Sequence, residues 1–366
     1  MRLSNIALRN FRNYEELKLD FASGVNLIVG DNAQGKTNLL EAIAYLGSGK
    51  SFRAQKTGEM VRFSADFADL EGTVFSQERE QTLRWVLFSG SRPRQIWRNG
   101  AKKKTAAEIS GVMSTVLFCP EDLMVLKSGA AARRRLGDSA LCQLRPNYDA
   151  ALTEYNRILD QKSRILKDRF ENPAVLEILP EYNTRLCQVG ALLISYRARF
   201  YESLGRLAAD YHSQFSGGAE DFSLEYRTVS TVSDPFAPVK ELTQALLSHL
   251  DAHYRAELDT GQCLTGPHKD DFAVSLSGID LKAYGSQGQT RTAAISLKLA
   301  QRELMKRESG EEPVLLLDDV LSELDPGRQD FVLNKIVSGQ VFITCCEPGR
   351  FTKLGKTMEI HQGNVK

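Results

Sequence analysis

Eight consecutive residues near the N-terminus match the pattern G-x-x-x-x-G-K-[ST] of a phosphate-binding loop. They are Gly30, Asp31, Asn32, Ala33, Gln34, Gly35, Lys36 and Thr37. Glycines let successive backbone N–H groups point at phosphate oxygens, and a following helix presents its positive N-terminal end to the same anion. We therefore expect Lys36 to reach the β- and γ-phosphates of a nucleotide and the Thr37 hydroxyl to ligate Mg²⁺. A glycine-rich structural turn is the alternative.

Two adjacent carboxylates, Asp318 and Asp319, are candidates for the metal and for the attacking water. They follow four apolar residues, 314–317, which predict a buried strand with its acids at the carboxyl end, where ligands bind in such sheets. We expect Asp318 to hold Mg²⁺ through a water molecule and Asp319 to act as general base. Two solvated acids at a strand end are the alternative interpretation.

A second turn also has the residues of an anion site. Ser286 and Gly288 lie just before a segment whose apolar residues recur at i, i+4, i+7 and i+11, which predicts a helix with one apolar face. A serine and a glycine at a helix N-terminus can bind an anion. Since the first loop already holds phosphates from one side, the second turn suggests a γ-phosphate held between two copies of the chain.

Composition limits the classes of function. The chain has 366 residues, with 47 Lys and Arg against 46 Asp and Glu, so bulk charge cannot hold it on nucleic acid or membrane and any such contact must be a local patch. Its six cysteines form no C-x-x-C pair, which argues against a zinc knuckle, and they are too sparse for a disulfide scaffold. We find no secretory segment and no apolar run of about 18 residues, so we expect a cytoplasmic protein without a membrane partner.

The elements that must position these residues can be read from hydrophobic spacing. Residues 25–29 and 341–344 are short apolar runs typical of buried strands, and 37–46 has helical spacing. Between these α/β ends, apolar residues recur every seven positions over 152–166 and again over 186–207. Two such helices should pack antiparallel as an arm about 35 Å long. An ordinary helical core is the alternative.

Two basic segments are candidates for contact with DNA phosphates. The first has six cations in thirteen residues without an acid, and a tryptophan, Trp97, among them. Its cations are Arg92, Arg94, Arg98, Lys102, Lys103 and Lys104. The second segment is 133–135, three consecutive arginines. A solvated hairpin is the alternative for the first segment.

Several of these segments resemble ABC-type ATPases. The S-x-G-Q turn at 286–289, the apolar strand with two acids and the segment 322–325 resemble the signature, Walker B and D-loop of that class, and 8–14 resembles the first strand of its SMC-like branch. Five further segments resemble the RecF family of recombination mediators. They are 35–43, 118–123, 133–135, 266–271 and 285–289.

The resemblance implies an α/β fold: an ABC-type P-loop ATPase head, lobe I, with an inserted, mainly helical lobe II and a short antiparallel helical arm. It places lobe I at 1–118 and 307–366 and lobe II at 119–306. It implies ATP and Mg²⁺ as cofactors and an ATP-dependent head-to-tail homodimer. It also implies a protein at the nucleoid that binds single- or double-stranded DNA with low sequence specificity. RecR, and indirectly RecO and RecA, are the implied protein partners, with RecA loaded at single-strand gaps.

The resemblance also assigns roles to residues outside the first loop. It puts Arg12 near the nucleotide and Asp325 across the dimer interface. The residues that would reach the partner's γ-phosphate are Ser286, Gly288 and Gln289.

Some positions depart from the broader ABC pattern. Gln287 replaces a glycine of the signature, Thr344 stands where a switch histidine is common, and Asp319 replaces the usual glutamate. Together these residues predict slow ATP hydrolysis that acts as a timer, and the resemblance implies that DNA stimulates it. Two alternatives remain: another SMC-like ATPase of DNA metabolism, or an ATP-binding clamp that does not hydrolyse. A transporter ATPase is disfavoured because the usual glutamine and histidine switches are absent.

Overall fold

The computed structural model describes residues 1–169, 171–336, 338–347 and 349–365. Its helices are α1 (Lys36–Ser48), α2 (Ala130–Leu144), α3 (Pro146–Asp168), α4 (Leu179–Ser216), α5 (Val239–Thr260), α6 (Leu281–Tyr284), α7 (Gln287–Ser309) and α8 (Pro326–Lys335). Its strands are β1 (Arg2–Phe11), β2 (Tyr14–Asp20), β3 (Val25–Val29), β4 (Phe67–Ser76), β5 (Arg79–Phe88), β6 (Gln95–Arg98), β7 (Ala101–Lys103), β8 (Thr115–Phe118), β9 (Phe222–Arg227), β10 (Asp271–Leu276), β11 (Ile279–Asp280), β12 (Val314–Asp318), β13 (Val341–Cys345), β14 (Lys356–His361) and β15 (Asn364–Val365).

The chain divides into two compact units, and the two ends of the chain together form the first. The first unit is Met1–Leu123 with Lys298–Lys366, and the second is Met124–Leu297. The alternation of strands and helices at both ends therefore belongs to one α/β unit, as predicted, with the more helical segment inserted between them. Within the described residues, no helix is long and apolar enough to cross a membrane.

The first unit contains a parallel sheet in which strands from both ends of the chain are neighbours. The strand order is β15-β14-β3-β13-β12-β8, and β3, β13, β12 and β8 are all parallel. In β12 every residue is buried, which explains its continuous apolar sequence. The register pairs Asp318 with Thr344 and Cys345 with Val29. The carboxyl ends of β3, β12 and β13 therefore lie together.

The second sheet of this unit is antiparallel, with the order β2-β1-β4-β5-β6-β7. Its strands alternate buried and exposed residues, which is typical of a sheet with one covered face. Helix α1 shares one buried core with residues of both sheets. Trp85 of β5 packs edge-on against Tyr45 of α1 and donates its indole N–H to the Leu46 carbonyl at 3.0 Å. The helix that follows the phosphate-binding loop is thus held by the core on several sides.

The second unit is built on two long antiparallel helices. Tyr148 of α3 packs against Tyr196 of α4, and Glu154 pairs with Arg185 at 2.7 Å, so the residue numbers run in opposite directions along the pair. The antiparallel helices predicted from the heptad spacing are confirmed. They do not stand alone, because α5 packs on α4 through an apolar cluster and joins α3 through a Lys162–Glu257 ion pair of 2.6 Å with both side chains fully buried. A three-stranded sheet, β11-β10-β9, completes the unit.

Candidate nucleotide-binding site

The phosphate-binding loop connects β3 to α1 and is held by the turn between β1 and β2. Tyr14 donates its hydroxyl to the Gly35 carbonyl at 2.9 Å, and Asn13 donates its amide to the Gln34 carbonyl at 2.9 Å. Gly35 has φ of +121°, and a Cβ there would lie 2.6 Å from the Asn13 amide nitrogen. Only glycine fits this position, because it alone tolerates both the backbone conformation and the close approach.

The Lys36 ammonium lies in the centre of this loop. Its side chain is 7% exposed, and Nζ donates to the Gly30 carbonyl at 2.6 Å, the Asp31 carbonyl at 2.9 Å and the Cys346 sulfur at 3.4 Å. The Cys346 thiol donates in turn to Asn32 Oδ1 at 3.1 Å. The loop therefore concentrates positive charge where its backbone can also turn N–H groups toward an anion. No sequence motif points to Cys346, which lies just past the end of β13.

Thr37 and Asp318, predicted to share a metal, are brought together by the fold. The Thr37 hydroxyl donates to Asp318 Oδ1 at 3.0 Å, and the Thr344 hydroxyl donates to the same oxygen at 2.9 Å. Burial raises the pKa of Asp318, and the hydrogen bonds from Thr344 and Thr37 counteract this in part. A hydroxyl and a carboxylate oxygen are donors that Mg²⁺ prefers. The donor set therefore fits that ion.

Asp319 adopts a backbone conformation that is uncommon for a residue with a side chain. Its φ is +53°, in the left-handed region. The Asp319 N–H donates to the Thr344 hydroxyl at 2.8 Å, and Ser322 donates its hydroxyl to the Asp319 carbonyl at 2.6 Å. Thr344 thus contacts both acids, the side chain of one and the backbone of the other. The Asp319 carboxylate is partly exposed, in contrast to that of Asp318, and is therefore accessible to water.

Arg12 lies beside the loop, but its guanidinium is bound to protein groups. Nε and Nη2 donate to the two carboxylate oxygens of Glu41, each at 2.7 Å, and Nη1 donates to the Glu59 carbonyl at 2.7 Å. Glu41 is fully buried in α1 and also accepts from the Ser51 hydroxyl at 2.5 Å. The Glu41 hydrogen bond raises the pKa of Arg12. This side chain ties the β1–β2 turn to α1, and its contact with nucleotide stays a prediction.

The serine turn of the second unit caps α7. The Gln289 N–H donates to Ser286 Oγ at 3.2 Å, and the Ser286 N–H donates to Gln289 Oε1 at 3.0 Å. This is the reciprocal arrangement of a capping box. The Gln289 side-chain amide also donates to Glu220 at 2.8 Å. Ser286 is exposed at the start of a 23-residue helix, where the helix dipole favours an anion.

Asp325 caps another helix of the first unit. Its carboxylate accepts from the Arg328 N–H at 3.1 Å at the start of α8 and pairs with the Arg328 guanidinium. These hydrogen bonds lower the pKa of Asp325. The side chain is 48% exposed, so it is an accessible anion. Its role across a dimer interface stays a prediction.

Part of the first basic segment stabilises the fold. Arg94 donates to the Tyr45 hydroxyl at 2.9 Å and to the Gly49 carbonyl, and Arg98 donates to Gln81 at 2.9 Å. These two arginines are therefore bound to the α1 end and to β5. The other cations of this segment are Arg92, Lys102, Lys103 and Lys104.

Arg133 and Arg134 of the second basic segment are also bound to protein groups. Arg133 is 1% exposed and binds Asp271 through two contacts of 2.5 and 2.7 Å. Arg134 donates to the Asp270 carbonyl at 2.7 Å. Arg133 thus orients β10 against α2, and its burial argues against the DNA contact that the sequence suggested for it.

Comparison with known proteins identifies what the chain is similar to. The family model described as RecF/RecN/SMC N terminal domain matches residues 2–365. The DNA replication and repair protein RecF of Agathobacter rectalis is 38% identical over 378 residues, covering 100% of this chain and 99% of that protein.

Solved structures of RecF proteins are also similar to this chain. A structure of the recombination mediator protein RecF-ATPrS in the RecFOR pathway superimposes with a TM-score of 0.92 at 34% identity, covering 100% of this chain and 97% of that one. A structure of RecF-ATP in the same pathway gives 0.90 at 34% identity, covering 100% and 96%. An Smc head domain from Pyrococcus furiosus shares the fold at 0.55 and 16% identity, covering 100% and 95%. The predicted ABC-type α/β head is confirmed.

Proposed function

The chain belongs to the RecF family, and from that premise we propose that it is an ATP-dependent, DNA-binding recombination mediator. The relatives it matches are named DNA replication and repair proteins. The observation that carries the proposal is that Lys36, Thr37, Asp318 and Thr344 lie together at the carboxyl edge of one parallel sheet. In our assignment, residues 1–118 and 307–366 act as lobe I and 119–306 as lobe II. The two compact units, which meet in sequence at 123/124 and 297/298, support it.

ATP is the substrate that fits the loop. Lys36 turns from the loop carbonyls to the β- and γ-phosphates, which it binds as a charge-assisted donor. The backbone N–H groups of 30–35 and the start of α1 add further positive potential. Thr37 and, through a water molecule, Asp318 would hold Mg²⁺, which would supply neutralisation of the phosphate charge. A solved relative described as RecF-ATP supports this choice of nucleotide.

Hydrolysis needs a base for the attacking water, and Asp319 is our assignment. The water oxygen bonds to the γ-phosphorus, the bond to the β–γ bridging oxygen breaks, and the Asp319 carboxylate accepts the water proton. The partial exposure of Asp319 and the absence of a histidine at 344 support a slow reaction that times release. DNA stimulates this step by stabilising the closed dimer.

The second copy of the chain completes the site. Its exposed Ser286, with Gly288 and Gln289 at the tip of α7, meets the γ-phosphate that the first copy holds. Its Asp325 acts across the same interface. The binding energy of the γ-phosphate then stabilises a clamp around DNA, because a ligand that prefers the closed form shifts the population toward it.

The DNA partner is bound without sequence reading, through phosphate contacts. We assign RecR as the protein that docks on the clamp, with RecO and RecA acting after it at single-strand gaps, in the cytoplasm at the nucleoid. The solved relatives described as part of a RecFOR pathway support this assignment.

Sedimentation of the chain with ATP, with ADP and without nucleotide, each with and without gapped duplex DNA, tests the proposal. We expect dimers only with ATP, and tighter dimers on gapped DNA. A monomer under all six conditions would contradict the clamp. Phosphate release in the same samples distinguishes an ATPase from a clamp that binds ATP without hydrolysing it. If no phosphate is released with or without DNA, the chain is a clamp that does not hydrolyse.

A further inference from the structure

We infer that Glu220 is a positioning residue for the serine turn and links it to the end of α4. The inference rests on the proposed function, since the turn matters only if it meets a γ-phosphate. Glu220 lies between α4 and β9, and its sequence position gives no sign of a role. Its two carboxylate oxygens have different partners. Oε1 accepts from Gln289 at 2.8 Å, and Oε2 accepts from His212 at 2.9 Å.

The contact with Gln289 decides which end of that side-chain amide faces Ser286. An ionised carboxylate can only accept, so the Gln289 –NH₂ group must point to Glu220 and its Oε1 must point to the Ser286 N–H. The Gln289 hydrogen bond is also the largest of the effects that lower the pKa of Glu220, which keeps the carboxylate ionised. Without Glu220 the amide can rotate and present donors to the Ser286 N–H. That rotation would break one of the two bonds of the capping box.

The contact with His212 fixes Glu220 on its other side. His212 is fully buried on α4, and its ring packs 5.5 Å from the ring of Phe222. Because Glu220 accepts, Nε2 of His212 must carry the proton. The carboxylate is therefore held between a buried group near the end of α4 and the N-terminus of α7.

The cap has a consequence for the Ser286 hydroxyl. Its oxygen already accepts the Gln289 N–H, so its proton is left to donate outward, toward a phosphate oxygen. The turn is exposed, and its backbone is tied to α7 because the Ser286 carbonyl accepts from the Thr290 N–H at 2.9 Å and from the Thr290 hydroxyl at 2.8 Å. Glu220 thus keeps the hydroxyl in the orientation that an incoming anion needs.

The test uses Glu220→Ala and Glu220→Gln in the full-length chain. Glu225→Ala is the control, since Glu225 lies in β9, is exposed and pairs with Arg227 of the same strand. Two measurements that need no nucleotide come first: the melting temperature, and amide hydrogen exchange at 286–289. We expect Glu220→Ala to speed exchange at these amides about tenfold, which is the usual size of a lost cap. Glu220→Gln retains an acceptor for Gln289 and should restore most of the protection.

The second pair of measurements is ATP affinity of the isolated chain and the ATP-dependent dimerisation constant. We expect Glu220→Ala to weaken dimerisation about tenfold while ATP affinity stays within twofold. Unchanged exchange at 286–289 in Glu220→Ala would overturn the inference, as would equal losses of ATP affinity and dimerisation. If the unaltered chain does not dimerise with ATP, the proposed clamp fails, and the exchange measurement still decides whether Glu220 orders the turn.

Discussion

The two turns that the sequence predicts to bind phosphate, 30–37 and 286–289, are held in place in different ways. The loop of the first unit is held by distant parts of the chain: Asn13 from the β1–β2 turn, Tyr14 at the start of β2, and Cys346 after β13. The serine turn of the second unit is exposed and is held by residues of its own helix, Gln289 and Thr290, and by Glu220. Our proposal gives them different roles to match: the first turn binds a phosphate by itself, and the second meets a phosphate that another copy of the chain holds.

The largest expected effect is on the first turn. Lys36→Ala removes the ammonium from the loop centre and should weaken ATP binding by more than about 100-fold, since charge-assisted hydrogen bonds to phosphate are lost. Titration of ATP against the purified variant measures this. Lys18→Ala is the control, because the Lys18 side chain is 77% exposed and pairs with Glu16 on the same strand. Undiminished ATP affinity in Lys36→Ala would remove the loop from the site.

Asp319→Asn should separate binding from chemistry. The amide cannot accept the water proton, so we expect hydrolysis to fall about 100-fold while ATP still binds and the dimer persists. Phosphate release and sedimentation in ATP measure the two halves of this prediction. Rapid return to monomer in ATP would show that Asp319 is not the base.

Ser286→Arg tests the exposed turn. A bulky cation at the tip of α7 should weaken ATP-dependent dimerisation by about 30-fold through steric clash, which corresponds to about 2 kcal/mol. ATP affinity of the single chain should not change, because the first turn is braced by other elements. Sedimentation in ATP gives the dimerisation constant. Dimers of normal affinity in this variant would place the serine turn outside the interface. They would also contradict the proposed difference in role between the two turns.

The smallest effect concerns Thr344, which contacts both acids. Thr344→Val removes a hydrogen bond that lowers the pKa of Asp318, so that pKa should rise further above its ordinary value. The carboxylate is protonated as pH falls through its pKa, and the acid limb of the activity profile should therefore move to higher pH. We expect about a tenfold loss of turnover. Thr344→Ser keeps the hydroxyl and should behave almost as the unaltered chain; an identical pH profile in Thr344→Val would contradict the role.

Much of the first unit could be predicted because its motif and its elements agree. The loop, its preceding strand and the apolar run before Asp318 each indicate the same edge of a parallel sheet, so Thr37 and Asp318 could be placed together before the structure was known. The sequence marked Thr344 only as a position where ABC-type ATPases commonly have a histidine. Its contact with both acids depends on the register of β12 against β13, which spacing within one strand does not reveal.

The charged residues were harder to predict. The family resemblance placed Arg12 near the nucleotide, and Arg133 was a candidate for DNA contact because it lies in a run of three arginines. Their partners, Glu41 and Asp271, lie 29 and 138 positions away in sequence. Nothing local shows that such an arginine is already paired. The same holds for the arm, whose heptad spacing predicted two helices correctly but gave no sign that α5 packs against them.

The sulfur beside Lys36 should report nucleotide occupancy if the proposed site is correct. Cys346 lies 3.4 Å from the ammonium, whereas its neighbour Cys345 is buried, and burial raises the pKa of that thiol to about 11. A triphosphate that captures Lys36 also covers the approach to Cys346. Mass-spectrometric counting of maleimide adducts at this position should therefore follow ATP binding and release in the unaltered protein, without an engineered label.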